Sequence, residues 1–173
     1  MSETSYANTH LQAANDKYVP EYDAASCDRA SVWYTAKLSL GVERLDPIRF
    51  AGFNLGDAHI IRNGGGRVVD AVRSVVVSQE MLATREVIVV HHTNCGFTKV
   101  DQSLLLDKIK KRAPASTHAL AQSIAPLEIH DPFESVKDDV QFLRGFPLIY
   151  PETTITGWVF HSDTGKLEKV AQS

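Results

Sequence analysis

The sequence predicts an α/β fold: a mainly parallel central sheet flanked by helices, with a helical arm at the N-terminus and a hairpin at the C-terminus. Three observations carry this. Apolar runs of strand length alternate with segments of helical spacing. The run Val87-Ile88-Val89-Val90 is continuously apolar, as a strand covered on both faces must be. Ser-Asp-Thr-Gly at 162–165 separates two late strand-like runs, which is a hairpin signal. With 173 residues, 43% of them hydrophobic and 23% charged, the chain can fill one sizeable core rather than two. Residues 1–173 therefore read as a single domain, with 1–25 as its helical arm.

In chain order, residues 9–19 (THLQAANDKYV) suit a helix without a strong apolar face of its own, closed by Pro20. Residues 31–40 (SVWYTAKLSL) are rich in β-branched and aromatic side chains and read as a strand. A short helical turn follows Pro47, and residues 58–61 form a short strand that runs into Arg62-Asn63-Gly64-Gly65-Gly66. Over 67–83, Val68, Val72, Val75, Val76 and Leu82 fall near helical spacing, and the helix leads into the strand at 87–90. Two further helices span 101–112 and 132–144, the second carrying Val136, Val140 and Leu143 on one side. Residues 155–160 and a last short strand make the terminal hairpin.

A net charge of -3 leaves no electrostatic footprint for nucleic acid or an anionic membrane, and the lone basic cluster, Lys108, Lys110, Lys111 and Arg112, reads as a solvated helix face. No run approaches transmembrane length, and the start MSETSYANTH lacks the basic and apolar regions of a signal peptide. Cys27 and Cys95 cannot make a disulfide framework, so a reducing, cytoplasmic setting is expected.

Ligands of parallel α/β sheets gather at the carboxyl ends of strands. Three such ends stand out. The glycine run Asn63-Gly64-Gly65-Gly66 offers backbone N–H groups near a helix start, a general site for an anion or carbonyl oxygen, although a tight connection with unusual dihedrals explains it equally. It lacks the Lys-Ser/Thr of a phosphate loop, and Val69 stands where a dinucleotide fingerprint needs its last glycine. At the second end, HHTNCGF, His92 and Cys95 are three residues apart and can turn toward one Zn²⁺, while His91 faces the other side of the strand and reads as structural. His59 also reads as structural. The third end is Leu40-Gly41-Val42-Glu43-Arg44-Leu45-Asp46-Pro47.

The ordered set RLDP, GDAHIIRNGGG, TREVIVVHHTNCG and a late TGWV resembles the β-carbonic anhydrase family, in its small bacterial and fungal type, over residues 11–170. The resemblance implies that fold, zinc held by His92, Cys95 and a cysteine of a Cys-x-Asp-x-Arg strand end, and a homodimer or higher homo-oligomer whose N-terminal helix embraces the neighbour. Here the sequence departs from the family: Leu40 stands in place of that cysteine and Val42 in place of the aspartate. Residues 40, 42 and 44 share one strand face, so the zinc is left with two protein donors where catalytic sites use three, and Arg44 has no carboxylate beside it on that face.

The expectation that follows is a repurposed lyase or hydrolase for a small carbonyl or carboxylate substrate. Arg44 would clamp the anion, His92, Cys95 and Asp46 would serve the chemistry, and Asn63, Gly64, Gly65 and Gly66 would bind an oxygen. Two alternatives stand beside it: a carbonic anhydrase with a rebuilt zinc site, and a non-catalytic partner subunit.

Overall fold

The computed structural model describes residues 5–23 and 45–172. The strand expected at 31–40, together with Leu40, Val42 and Arg44, lies outside the described residues.

The arm begins with a π-helical turn, Ala7–Leu11, and continues as helix α1, Gln12–Tyr18. Its first turn is held from afar, because the Glu86 carboxylate accepts from the Ser5 hydroxyl (2.6 Å) and from the backbone N–H groups of Tyr6 and Ala7 (both 2.9 Å). A carboxylate there satisfies orphan donors and suits the positive end of the helix. Pro20 sits within a 3₁₀ turn, Val19–Glu21, so the helix tightens before it ends.

Helix α2, Pro47–Ala51, is written into its sequence. Asp46 caps it by accepting from the N–H groups of Ile48 and Arg49, Pro47 needs no N–H in the first turn, and Gly52 closes it at φ 69°. Among the described residues the short strand expected at 58–61 shrinks to a bridge at Ile60. The helix expected over 67–83 is broken: a 3₁₀ turn, Val68–Asp70, precedes helix α3, Val72–Leu82, with Ala71 bent between them at φ -100°, ψ -16°. The break has a tertiary anchor, since the Val68 N–H donates to a carboxylate oxygen of Asp139 (3.1 Å).

Strand β1, Glu86–His92, runs parallel to β2, Thr154–Phe160, in the register Glu86↔Thr154 to His92↔Phe160. β2 pairs antiparallel with β3, Leu167–Gln172, with a bulge at Gly157/Trp158. Between β1 and β2 come α4, Gln102–Arg112, α5, His118–Gln122, and α6, Pro132–Gly145. The predicted parallel pair and the antiparallel edge hairpin are both present. The basic residues of α4 are exposed, on a helix that only half-buries Leu105, Leu106 and Ile109.

Helices cover both faces of this sheet. On one side Val87, Val89, Ile155 and Val159 pack with Val68, Val75 of α3 and Val136, Val140 and Leu143 of α6. On the other, Val90, Trp158 and Phe160 pack with Leu11 of the arm and Phe50 of α2. Each fully buried aliphatic side chain contributes roughly 1.5–3 kcal/mol, so the alternation along β1 is fixed by both cores. The consequence for the site is direct: His91 follows Val87 and Val89 onto the α6 face, and His92 follows Ile88 and Val90 onto the arm face.

Candidate active site at the end of strand β1

The loop after β1 is shaped by a left-handed residue, Asn94 at φ 57°, which turns the chain so that Cys95 opens a 3₁₀ turn, Gly96–Lys99. Both candidate side chains are buried, His92 at 5% and Cys95 at 2% exposure. His92 Nδ1 lies 2.7 Å from the carbonyl oxygen of Thr93. A carbonyl only accepts, so Nδ1 carries the hydrogen and, in the neutral ring, Nε2 carries the lone pair. Burial pushes the Cys95 thiol above its ordinary pKa, and the Phe97 backbone N–H offsets this only in part. Its thiolate fraction at neutral pH is therefore smaller than that of a free cysteine.

The glycine run joins this loop through Phe97. Gly64–Gly66 forms a 3₁₀ turn with Gly65 at φ 77°, a conformation that needs glycine. A Cβ on Gly64 would stand 2.3 Å from the Phe97 ring, and one on Gly65 would meet that ring at 3.1 Å and Ile129 at 3.2 Å. Two motifs about thirty positions apart in the chain thus meet in space through a close approach that only bare backbone permits. Within the run, Gly66 N–H donates to Asn63 O (3.2 Å) and the Asn63 amide donates to Arg67 O (2.8 Å), so Asn63 is engaged in shaping the loop.

On the opposite face His91 is structural, as its alternation predicts. Its Nε2 lies 3.1 Å from Gly66 O and 3.2 Å from Asp139 Oδ2, both acceptors, so this nitrogen carries the hydrogen. Asp139, fully buried on α6, also accepts from Arg67 Nε (3.1 and 3.2 Å) and pairs with Arg67 Nη2 at 3.0 Å. Burial raises its pKa, but hydrogen bonds from His91 and Arg67 and the Arg67 charge outweigh this and hold the carboxyl below its ordinary range. This network ties the glycine turn, β1 and α6 together, and sequence reasoning missed it. A signal was available, for Asp139 falls on the apolar stripe of Val136, Val140 and Leu143 at helical spacing.

Of the other expected residues, Asp46 spends one carboxylate oxygen as the cap of α2. His59 pairs with Ser78, its Nδ1 2.7 Å from the hydroxyl. Arg44 lies outside the described residues.

Comparison with known proteins places this geometry. Over 128 residues the chain is 36% identical to β-carbonic anhydrase 1 of Mycobacterium tuberculosis, an alignment that spans 73% of this chain and 76% of that one. The chain belongs to the β-carbonic anhydrase family. The solved carbonic anhydrase from Glaciozyma antarctica is 44% identical and superimposes with a TM-score of 0.74, over 97% of this chain and all of that one. A carbon disulfide hydrolase of Acidithiobacillus thiooxidans is 29% identical over 126 residues, which span 65% of this chain and 63% of that one. No protein-family model matches the chain.

Within the β-carbonic anhydrase family this chain is a diverged member. In the zinc site that the family resemblance implies, His92 and Cys95 would be two of the donors, with His92 offering Nε2 because its Nδ1 faces the Thr93 carbonyl. The position at which the family resemblance expects a cysteine is Leu40, and among the described residues no three His, Cys, Asp or Glu side chains gather where they could hold a metal. The described residues by themselves do not supply three protein ligands for a zinc ion.

Proposed function

We propose that this β-carbonic anhydrase homologue is a repurposed lyase- or hydrolase-type enzyme that acts on a small carbonyl or carboxylate compound. The observation that carries the reading is selective retention. Arg44, His92, Cys95 and the glycine run remain, while the ligand and carboxylate positions hold Leu40 and Val42. Apolar side chains there suit an organic substrate better than a metal-bound water. That some relatives are named carbon disulfide hydrolases supports the idea that this scaffold tolerates a change of substrate.

The roles follow from the chemistry of each group. Arg44, always charged, binds the anionic or most negative oxygen of the substrate. His92 is the acid–base group, because its Nδ1–H is committed to Thr93 O and Nε2 is the nitrogen that exchanges a proton. The raised thiol pKa makes Cys95 a weak nucleophile at neutral pH and a better lining or donor group. Amides of Gly64 and Gly65 bind the second oxygen, and Asp46 acts mainly by capping α2.

The protein acts as at least a homodimer with residues 1–25 as its arm, in the cytoplasm, and as one domain over 1–173. Apolar side chains left exposed on α3, Val77, Met81 and Leu82, support the assembly.

The test is a turnover screen against small carbonyl and carboxylate compounds, carbon disulfide and CO₂, with Arg44→Ala and His92→Ala beside the parent chain. Turnover that falls at least about a hundredfold in both variants is expected, on the scale of losing an acid–base group. Unchanged turnover in both would remove the reading. Close to one tightly held zinc per chain together with CO₂ hydration would favour a rebuilt carbonic anhydrase site instead.

A further inference from the structure

The hairpin turn between β2 and β3 reaches back to the loop after β1. Ser162, in that turn, makes a closed set of bonds with Thr93 and Asn94. Its backbone N–H donates to Thr93 Oγ1 (2.9 Å), its hydroxyl donates to Thr93 O (3.1 Å), and the Asn94 amide donates to its Oγ (3.1 Å). The remaining contact, Thr93 Oγ1 to Ser162 Oγ at 3.1 Å, closes with the threonine hydroxyl as donor. With that assignment Ser162 Oγ gives one hydrogen and receives two, which fills its capacity.

Thr93 O is therefore shared. It accepts from His92 Nδ1 at 2.7 Å and from the Ser162 hydroxyl at 3.1 Å, using both of its lone pairs. The turn is in turn fastened to the arm: Tyr22 OH donates to Ser162 O (2.7 Å), and the buried Asn15 amide bridges Gly165 O (2.9 Å) and Leu167 N–H (2.7 Å). Gly165, at φ 73°, lies so close to the Tyr22 ring that a Cβ would stand 2.6 Å from it.

We propose that Ser162 is a positioning residue for His92: by fixing the Thr93 carbonyl it holds the imidazole in one orientation and in the tautomer with hydrogen on Nδ1. It touches no reacting atom and acts through the Thr93 carbonyl. A hydroxyl here selects which ring nitrogen serves the site, a role that groups one bond removed commonly have for functional histidines. The inference rests on the reading of His92 as the acid–base group, but its test does not need turnover.

The experiment is nitrogen-15 NMR of ring-labelled histidine in the intact chain at mildly alkaline pH, comparing the parent with Ser162→Ala and Ser162→Thr. The parent should show His92 as a single Nδ1–H tautomer, Ser162→Ala should show a mixture with the Nε2–H form, and Ser162→Thr should restore the parent pattern. His91, held by Asp139 on the other face, is the internal control and keeps its Nε2–H signature in all three. An unchanged His92 tautomer in Ser162→Ala overturns the proposal. So does a Ser162→Thr protein that keeps the His91 signature yet fails to restore His92. If Ser162→Ala disturbs His91 as well, the threonine variant alone decides by the same two outcomes. Failure of the functional reading would appear separately, as turnover indifferent to His92→Ala.

Discussion

Asp139 joins three separate parts of the chain through a single side chain. One buried carboxylate receives a guanidinium, an imidazole N–H and a backbone N–H. Replacing it with asparagine removes the charge and leaves the Arg67 guanidinium, 17% exposed, without its counter-ion. Breaking a buried pair in this way costs about 3–5 kcal/mol, and urea denaturation at neutral pH should show Asp139→Asn less stable by that order. The pH dependence has a definite sign. Because hydrogen bonds and the Arg67 charge depress its folded pKa, Asp139 contributes its stability above the ordinary carboxylate pKa of about 4 and loses it as pH falls through the lower folded value. The difference between the parent and Asp139→Asn should therefore be constant from neutral pH to about pH 5 and shrink below about pH 4.

At the scale of elements, the packing of α6 on β2 depends on one missing side chain. A Cβ on Gly157 would stand 2.4 Å from Val136 Cγ1 and 2.9 Å from Val140 Cγ2, both stiff β-branched residues on a helix. Gly157→Ala should lower stability by about 1–3 kcal/mol, as overpacking does, and a Val136→Ala partner should recover part of it in thermal denaturation. The elements that were legible in the sequence are those with local punctuation. Asp101 caps α4, Asp131 with Pro132 opens α6, and Asp46-Pro47 with Gly52 frames α2. What was not legible is set by distant partners. The 3₁₀ turn ahead of α3 is anchored by a bond between Val68 and Asp139, and no window of sequence around 67–83 contains that aspartate.

For the whole molecule, the exposed apolar residues of α3 call for cover. Light scattering on the purified chain should give at least twice the monomer mass, and charged substitutions at Met81 and Leu82, 75% and 62% exposed, should shift it toward the monomer. A mass that stays at one chain at micromolar concentration would count against the proposed assembly. The candidate site shows the same division as the elements. The His92–Cys95 spacing and the face that His92 takes were readable, because strand alternation is a local rule. The groups that surround them were not, since Ser162 stands 69 positions from Thr93 and Asp139 stands 48 from His91. Only the sheet register, with Phe160 opposite His92, brings the hairpin turn to that loop.

That register makes the two neighbouring histidines an either-or pair. Inserting or deleting a single residue ahead of His91 would exchange their faces, turning toward Asp139 the ring that now faces the arm and the other ring toward the arm. Such a frame error would leave the HHTNC motif intact while inverting the chemistry around it, so a change of length in β1 is expected to do more harm than a conservative substitution.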